Sequence, residues 1–154
     1  KAVATMDAIA RSVENDAFYR GIITAQRSEP EPTSADAISA AARQVAETLN
    51  LSAIVCYTAS GSTGIRMSRE RPDVPIIALS PITATSRRLA LVWGLHCVLT
   101  DDAHDLDDMV SRACDIAQAE GFADPGERII VTAGVPLGTP GATNMLGVAY
   151  LNRD

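Results

Sequence analysis

Apolar residues along this chain follow two rhythms. Ile38, Ala41, Ala42, Val45, Ala46 and Leu49 fall three and four apart, the spacing of one helical stripe, and Asn50 ends that helix. Directly afterwards Ile54-Val-Cys-Tyr57 is unbroken and apolar, the composition of a buried strand over about 52–57. The alternation then repeats. A helix is predicted over about 62–71, Pro72-Asp-Val-Pro75 is a turn, and Ile76-Ile-Ala-Leu79 is a second strand. Thr83 to Trp93 reads as a helix with Leu89, Val92 and Trp93 inward and Arg87 and Arg88 on the surface. His96-Cys-Val-Leu99 is a third strand. Leu106, Met109, Val110, Ala113, Ile116 and Ala117 are the apolar face of a helix that stops at Gly121. Arg128-Ile-Ile-Val-Thr132 is a fourth strand, and Asn144 to Leu151 a fifth.

Short apolar strands alternating with amphipathic helices predict an α/β domain of three layers, α/β/α, around a mainly parallel five-stranded sheet. Only a loop, Gly134-Val-Pro-Leu-Gly-Thr-Pro-Gly141, separates the last two strands. A parallel return needs a crossover of about a dozen residues or more, so the last strand is expected to be antiparallel, at an edge.

The front of the chain is different. Val3, Met6, Ile9, Val13 and Ala17 predict one helix over 2–19, with Asp7, Arg11, Glu14 and Asn15 on its other side. Ser28-Glu-Pro-Glu-Pro-Thr33 is a stiff polar linker. The expected organisation is therefore a helical segment at 1–28, a linker at 29–32 and the α/β domain at 33–154. Thr33 is placed to cap the next helix, with Asp36 as its capping-box partner. The chain begins with Lys rather than Met and shows no signal-peptide pattern, so it is expected to be a piece of a longer cytoplasmic protein.

Composition narrows the classes of function. The 154 residues are enough for one domain with a sizeable core. No apolar run approaches the roughly 20 residues of a membrane span. The net charge of −6 argues against nucleic acid and against an anionic membrane, both of which are bound largely through Lys and Arg. Cys56, Cys97 and Cys114 form no C-x-x-C pair and read as reduced, packed thiols.

Chemistry concentrates in one turn. After the first strand come six small residues, Thr58-Ala-Ser-Gly-Ser-Thr63, and then a helix start. A helix N-terminus offers an anion free N–H groups and the positive end of the macrodipole; hydroxyls and a close-approaching glycine add to both. Thr58, Ser60, Gly61, Ser62 and Thr63 are thus candidate phosphate-binding residues. No Lys-Ser or Lys-Thr pair follows the glycine and no G-x-G-x-x-G is present, so nucleoside triphosphate chemistry is not expected at this turn. The same residue types also serve ordinary strand-to-helix turns. Asp101-Asp-Ala-His-Asp-Leu-Asp-Asp108 reads as a solvated helix start rather than a metal site, and His96 as a core or edge residue rather than a base. No catalytic constellation and no metal-ligand spacing is found.

Several stretches carry a resemblance. Thr33-Ser-Ala-Asp-Ala-Ile-Ser-Ala-Ala-Ala42, Ala53-Ile-Val-Cys-Tyr-Thr-Ala-Ser-Gly-Ser-Thr63, Pro75-Ile-Ile-Ala-Leu-Ser80, Arg128-Ile-Ile-Val-Thr-Ala-Gly-Val-Pro136 and Pro140-Gly-Ala-Thr-Asn144, in that order, resemble the C-terminal domain of the pyruvate kinase family. The first helix resembles the end of that family's barrel domain. The resemblance implies a regulatory and oligomerisation domain of an enzyme that makes pyruvate and ATP from phosphoenolpyruvate and ADP. It implies that substrate, magnesium and potassium belong to the barrel, whose motifs this chain lacks, so the chain alone is expected to be inactive. It also implies that the turn matching Thr58–Thr63 cradles a phosphate of a sugar-phosphate effector and that the loop matching Gly138–Gly141, with Gly138, Thr139 and Gly141, closes over it. Family members that take fructose 1,6-bisphosphate often hold its second phosphate with a Trp and an Arg beyond the fourth helix. Here that region reads Phe122-Ala-Asp-Pro-Gly-Glu-Arg128, without Trp, leaving Arg128 as the candidate. A sugar monophosphate or a nucleoside monophosphate fits equally well. The resemblance further implies a homo-oligomer contact through the last strand. The alternative is a stand-alone binding or interaction module with the same fold and no kinase activity.

Overall fold

The computed structural model describes residues 1–137 and 142–152. Five strands, β1 (Ala53–Tyr57), β2 (Ile76–Ser80), β3 (Leu95–Leu99), β4 (Arg128–Ala133) and β5 (Met145–Tyr150), form one sheet in the order β3-β2-β1-β4-β5. The first four are parallel, with Val55 level with Ile77 and with Val131. β5 runs antiparallel to β4 at the edge, Val148 opposite Ile130.

The pleat sorts each strand onto two cores. Val55, Ile77, Leu79, Ile129 and Val131 meet Met109, Ala113 and Ala117 of α6 (Leu106–Ala119) on one face. Ile54, Cys56, Ile76, Ala78 and Ile130 meet the other helices on the opposite face. There Ala42 and Ala46 come from α3 (Ser34–Leu49), Met67 from α4 (Ser62–Arg69) and Leu89 from α5 (Thr83–Leu89). The result is the three-layer α/β/α arrangement.

Local chemistry fixes the helix ends. Thr33 Oγ1 accepts from the Asp36 N–H at 3.3 Å, Asn50 closes α3 in the left-handed region (φ 50°), and Gly121 follows α6 with φ 75°. Asp36 does not complete the capping box. Its buried carboxylate accepts from the Glu31 N–H at 3.0 Å and pairs with Arg66 (3.0 Å) and Arg69 of α4. Burial opposes its ionisation, but the Glu31 N–H and the Arg69 and Arg66 guanidiniums outweigh burial and hold the carboxyl below its usual range. This pairing anchors α4 against the start of α3.

Three sequence expectations need correction. The helix expected over 2–19 is two helices, α1 (Ala2–Glu14) and α2 (Ala17–Ala25). Asp16 breaks them: it is extended (φ −77°, ψ 134°) and its side chain accepts from the Phe18 N–H at 2.8 Å, starting a new helix. The helix expected to reach Trp93 ends at Leu89. Tertiary contacts claim the remaining residues. Trp93 donates its indole N–H to Glu14 at 2.7 Å, its carbonyl accepts from Ser68 Oγ at 2.6 Å, and Arg71 stacks 4.1 Å above its ring. α4 stops at Arg69 rather than 71, because Arg71 turns the chain with φ 49°.

Candidate functional site

The chain order decides where a ligand can sit. From β1 it moves outward through α4, β2, α5 and β3, then returns by α6 to the far side of β1. The strand order therefore reverses between β1 and β4, and in open α/β sheets the crevice beyond the carboxyl ends of such a pair is the usual binding place. A cavity lies there. Thr58, Ala59, Ser60, Ser62 and Thr63 form one wall as the chain leaves β1. Ala133, Gly134, Leu137, Ala142 and Thr143 form the wall beyond β4, and Pro81 and Asp102 close it from the tops of β2 and β3.

The turn is built by its own hydroxyls. Gly61 N–H donates to Thr58 Oγ1 at 2.9 Å, Ser62 N–H to Ser60 Oγ at 3.4 Å, and the Ser60 and Ser62 hydroxyls are 3.0 Å apart. Gly61 sits at φ 91° and caps α4 without a side chain. The first helical bond is Ile65 N–H to Gly61 carbonyl, 3.1 Å, so the Thr63 and Gly64 N–H groups have no carbonyl one turn back. Thr63 Oγ1 and Thr143 Oγ1, 2.7 Å apart and buried, tie the helix start to the opposite wall.

Residues from elsewhere support the turn, and local sequence gave no sign of them. Thr85 Oγ1 donates to the Ala59 carbonyl at 2.9 Å, and the Arg88 guanidinium donates to the Ser60 carbonyl. Arg88 thus bonds the turn instead of serving only as surface charge. A Cβ on Gly61 would lie 3.1 Å from Arg88 Nη2 and 3.2 Å from Leu89 Cδ2. Tyr57 donates its hydroxyl to the Met109 carbonyl at 2.9 Å, and burial pushes its phenol well above the usual range, so it stays protonated. Asp102 has no hydrogen-bond or ion-pair partner among the described residues and is the only charged side chain among those lining the cavity.

The structure brings Thr58, Ser60, Ser62 and Thr63 together at this cavity, while Gly61, in the same turn, packs against Thr85, Arg88 and Leu89 and does not line it. It does not bring Arg128 there. Arg128 begins β4, next to Ile129, which is level with Ala53, and it donates to the Leu49 carbonyl at 2.8 Å. Six strand residues, about 20 Å, separate it from the level of Thr58, because parallel strands put their first residues at the opposite end of the sheet. Gly138, Thr139 and Gly141 lie outside the described residues; Leu137 and Ala142, which flank them, line the cavity.

Other groups considered from sequence have structural duties. Asp105 caps α6 through the Asp108 N–H (2.8 Å), while Asp108 accepts from the His104 N–H (2.9 Å) and pairs with Arg112 (2.7 Å). Among the described residues no group of His, Cys, Asp and Glu could hold a metal ion. His96 lies on edge strand β3, 2.8 Å from Glu120 and tilted against Phe122. Burial pushes the Cys56 thiol up to about 12, so it packs as a neutral side chain. No described helix is long and apolar enough to cross a membrane.

A family model for the pyruvate kinase alpha/beta domain matches residues 36–149. The whole chain is 52% identical to 32% of a pyruvate kinase of Methylorubrum extorquens. It is 38% identical to a pyruvate kinase of Geobacillus stearothermophilus, over 99% of this chain and 26% of that one. With a pyruvate kinase of Clostridium acetobutylicum the identity is 35%, over 96% and 31%. The chain thus spans about a third or less of the curated relatives it matches.

Proposed function

This chain belongs to the pyruvate kinase family, as its alpha/beta domain, and from that premise we propose that it is the regulatory and assembly part of a longer phosphotransferase. The longer protein moves a phosphoryl group from phosphoenolpyruvate to ADP. Such a transfer needs metal ions and cations gathered around the moving group, and we assign these to the part of the longer protein that this chain does not span. The contribution of the present residues is an effector site in the crevice between β1 and β4.

One observation supports this most: the hydroxyl-lined start of α4 opens into that cavity with the Thr63 and Gly64 N–H groups free of helical partners. A phosphate there accepts from these N–H groups and from the hydroxyls of Thr58, Ser60, Ser62 and Thr63. Each charge-assisted hydrogen bond is worth about 1.5–3 kcal/mol. Three or four, less the cost of immobilising the ligand, give affinities of roughly micromolar to millimolar.

The test is calorimetric titration of the full-length protein with inorganic phosphate, ribose 5-phosphate, glucose 6-phosphate, fructose 1,6-bisphosphate and AMP. It is run on the wild type and on Ser60→Asp, which places a carboxylate where the phosphate sits. At least one phosphorylated ligand binds the wild type, and the variant loses it. Equal binding by both proteins, or none by either, rejects the effector site.

A further inference from the structure

We propose that a separate cavity, between the ends of α2 and α4, is a phosphate site held by Arg27 and Arg71 that ties the helical segment to the α/β domain. It lies at the opposite end of α4 from the 58–63 turn and does not depend on what that turn binds. Ile23, Arg27 and Ser28 line it from the end of α2 and the chain just beyond. Arg69, Glu70 and Arg71 line it from the end of α4. Its volume is about 210 Å³, against roughly 10–15 Å³ for a single water.

The charges around this cavity do not cancel. Arg69 pairs with Asp36, and Glu70 is buried 3.5 Å from Arg43 Nε. Arg27 and Arg71 have no carboxylate partner and no side-chain hydrogen bond among the described residues. Arg27 Nε is buried without an acceptor, a state that folded proteins seldom leave unmet. Arg71 is oriented by its stack on Trp93, which satisfies none of its N–H groups. Both helices end here, and each C-terminus carries about half a negative charge, so two free guanidiniums leave the cavity positive by about one charge. Oxygen count then selects the anion. Each guanidinium is a planar fork for two oxygens, and one carboxylate fills a single fork. A phosphate, free or as a monoester, presents enough oxygens for both. Such a bridge has a mechanical consequence. No residue of α1 or α2 is buried. Among the described residues, their side chains are hydrogen-bonded to the α/β domain only at Glu14–Trp93 and Arg20–Asp73. A phosphate shared by Arg27 and Arg71 adds a third tie, made only while the ligand is bound.

The experiment counts inorganic phosphate bound per chain of the full-length protein by equilibrium dialysis, for the wild type, Arg27→Gln, Arg27→Lys and the double variant Arg27→Gln/Arg71→Gln. Arg27→Gln weakens one phosphate about tenfold or more, the scale of one charged hydrogen bond. The double variant binds one phosphate fewer than the wild type. Arg27→Lys, which keeps the charge and loses the fork, falls between wild type and Arg27→Gln. Ser60→Asp leaves this phosphate in place, which separates it from any bound at the turn. Glycerol 3-phosphate in competition distinguishes an ester, which displaces the phosphate, from free phosphate as the ligand, where it does not. Hydrogen exchange gives a second readout: phosphate slows exchange of the α2 amides in the wild type and not in Arg27→Gln. Arg27 has no described side-chain partner, so without phosphate Arg27→Gln unfolds at the wild-type midpoint. Equal phosphate binding by the wild type and the double variant overturns the site. Acetate slowing α2 exchange as well as phosphate does overturns the choice of anion. An α2 that exchanges equally with and without phosphate in the wild type overturns the tie.

Discussion

Gly61 and Asp36 show how single residues set the geometry of the turn. At φ 91°, Gly61 is in a conformation that costs other residues about 1–2 kcal/mol, and its missing Cβ leaves room for Arg88 and Leu89. Gly61→Ala is expected to lower stability by at least that much in urea unfolding and to weaken phosphate binding by displacing Arg88 from the Ser60 carbonyl. A variant as stable as the wild type would show that the turn tolerates a side chain. Asp36 acts from further away, holding α4 through Arg66 and Arg69. Asp36→Ala leaves the half-buried Arg66 and the exposed Arg69 without their anion, and because water screens both guanidiniums the cost falls below the about 3–5 kcal/mol of a fully buried pair. The folded carboxyl titrates below its unfolded value, so its contribution is complete above about pH 4 and is lost as pH falls through the folded value. Unfolding midpoints of wild type and Asp36→Ala should therefore converge in acid and diverge by pH 7. A constant gap across that range would place the effect in packing rather than charge.

At the scale of elements, the edge strand β5 is the exposed feature. Met145-Leu-Gly-Val-Ala-Tyr150 carries no charge and no proline; Tyr150 is 67% and Val148 37% exposed. Edges of this kind pair with another strand unless something covers them. A two-fold contact between copies through β5 is expected, in which the same strand serves both partners. Val148→Lys should shift sedimentation of the full-length protein toward smaller species, because a charge on an edge resists pairing. A wild type that stays monomeric at high concentration would remove the basis for this contact. α5 illustrates the opposite case, an element shorter than its apolar pattern. Leu89, Val92 and Trp93 keep helical spacing, yet the chain leaves the helix after Leu89 because Glu14, Ser68 and Arg71 hold Trp93.

For the whole molecule, α1 is the unfinished part. Val3, Met6, Ile9 and Val13 are all exposed, Val3 at 79%, and no residue of the helix is buried. A helix with a bare apolar stripe is held by few contacts among the described residues. The expectation is that the remainder of the longer protein covers it. Hydrogen exchange should find α1 amides unprotected in the 154-residue chain and protected in the full-length protein, while β1 and β4 are protected in both. Equal protection of α1 in both would mean that the stripe faces solvent in either form.

The strands, the alternation of helices and the antiparallel edge were legible in the residues themselves. Buried parallel strands must be apolar throughout, helices packed on one side must be striped, and a short loop cannot make a parallel crossover. The Thr58–Thr63 turn was legible for a similar reason: small hydroxyl residues between a strand and a helix have few other uses. The break at Asp16 was hidden because the apolar spacing runs through it in phase, although the aspartate cap was present to be read. The tertiary structure alone decided which distant residues meet the turn. Thr85, Arg88 and Thr143 reach it, and Arg128 does not, because the parallel sheet gathers the carboxyl ends of its strands at one edge and puts the amino ends about 20 Å away.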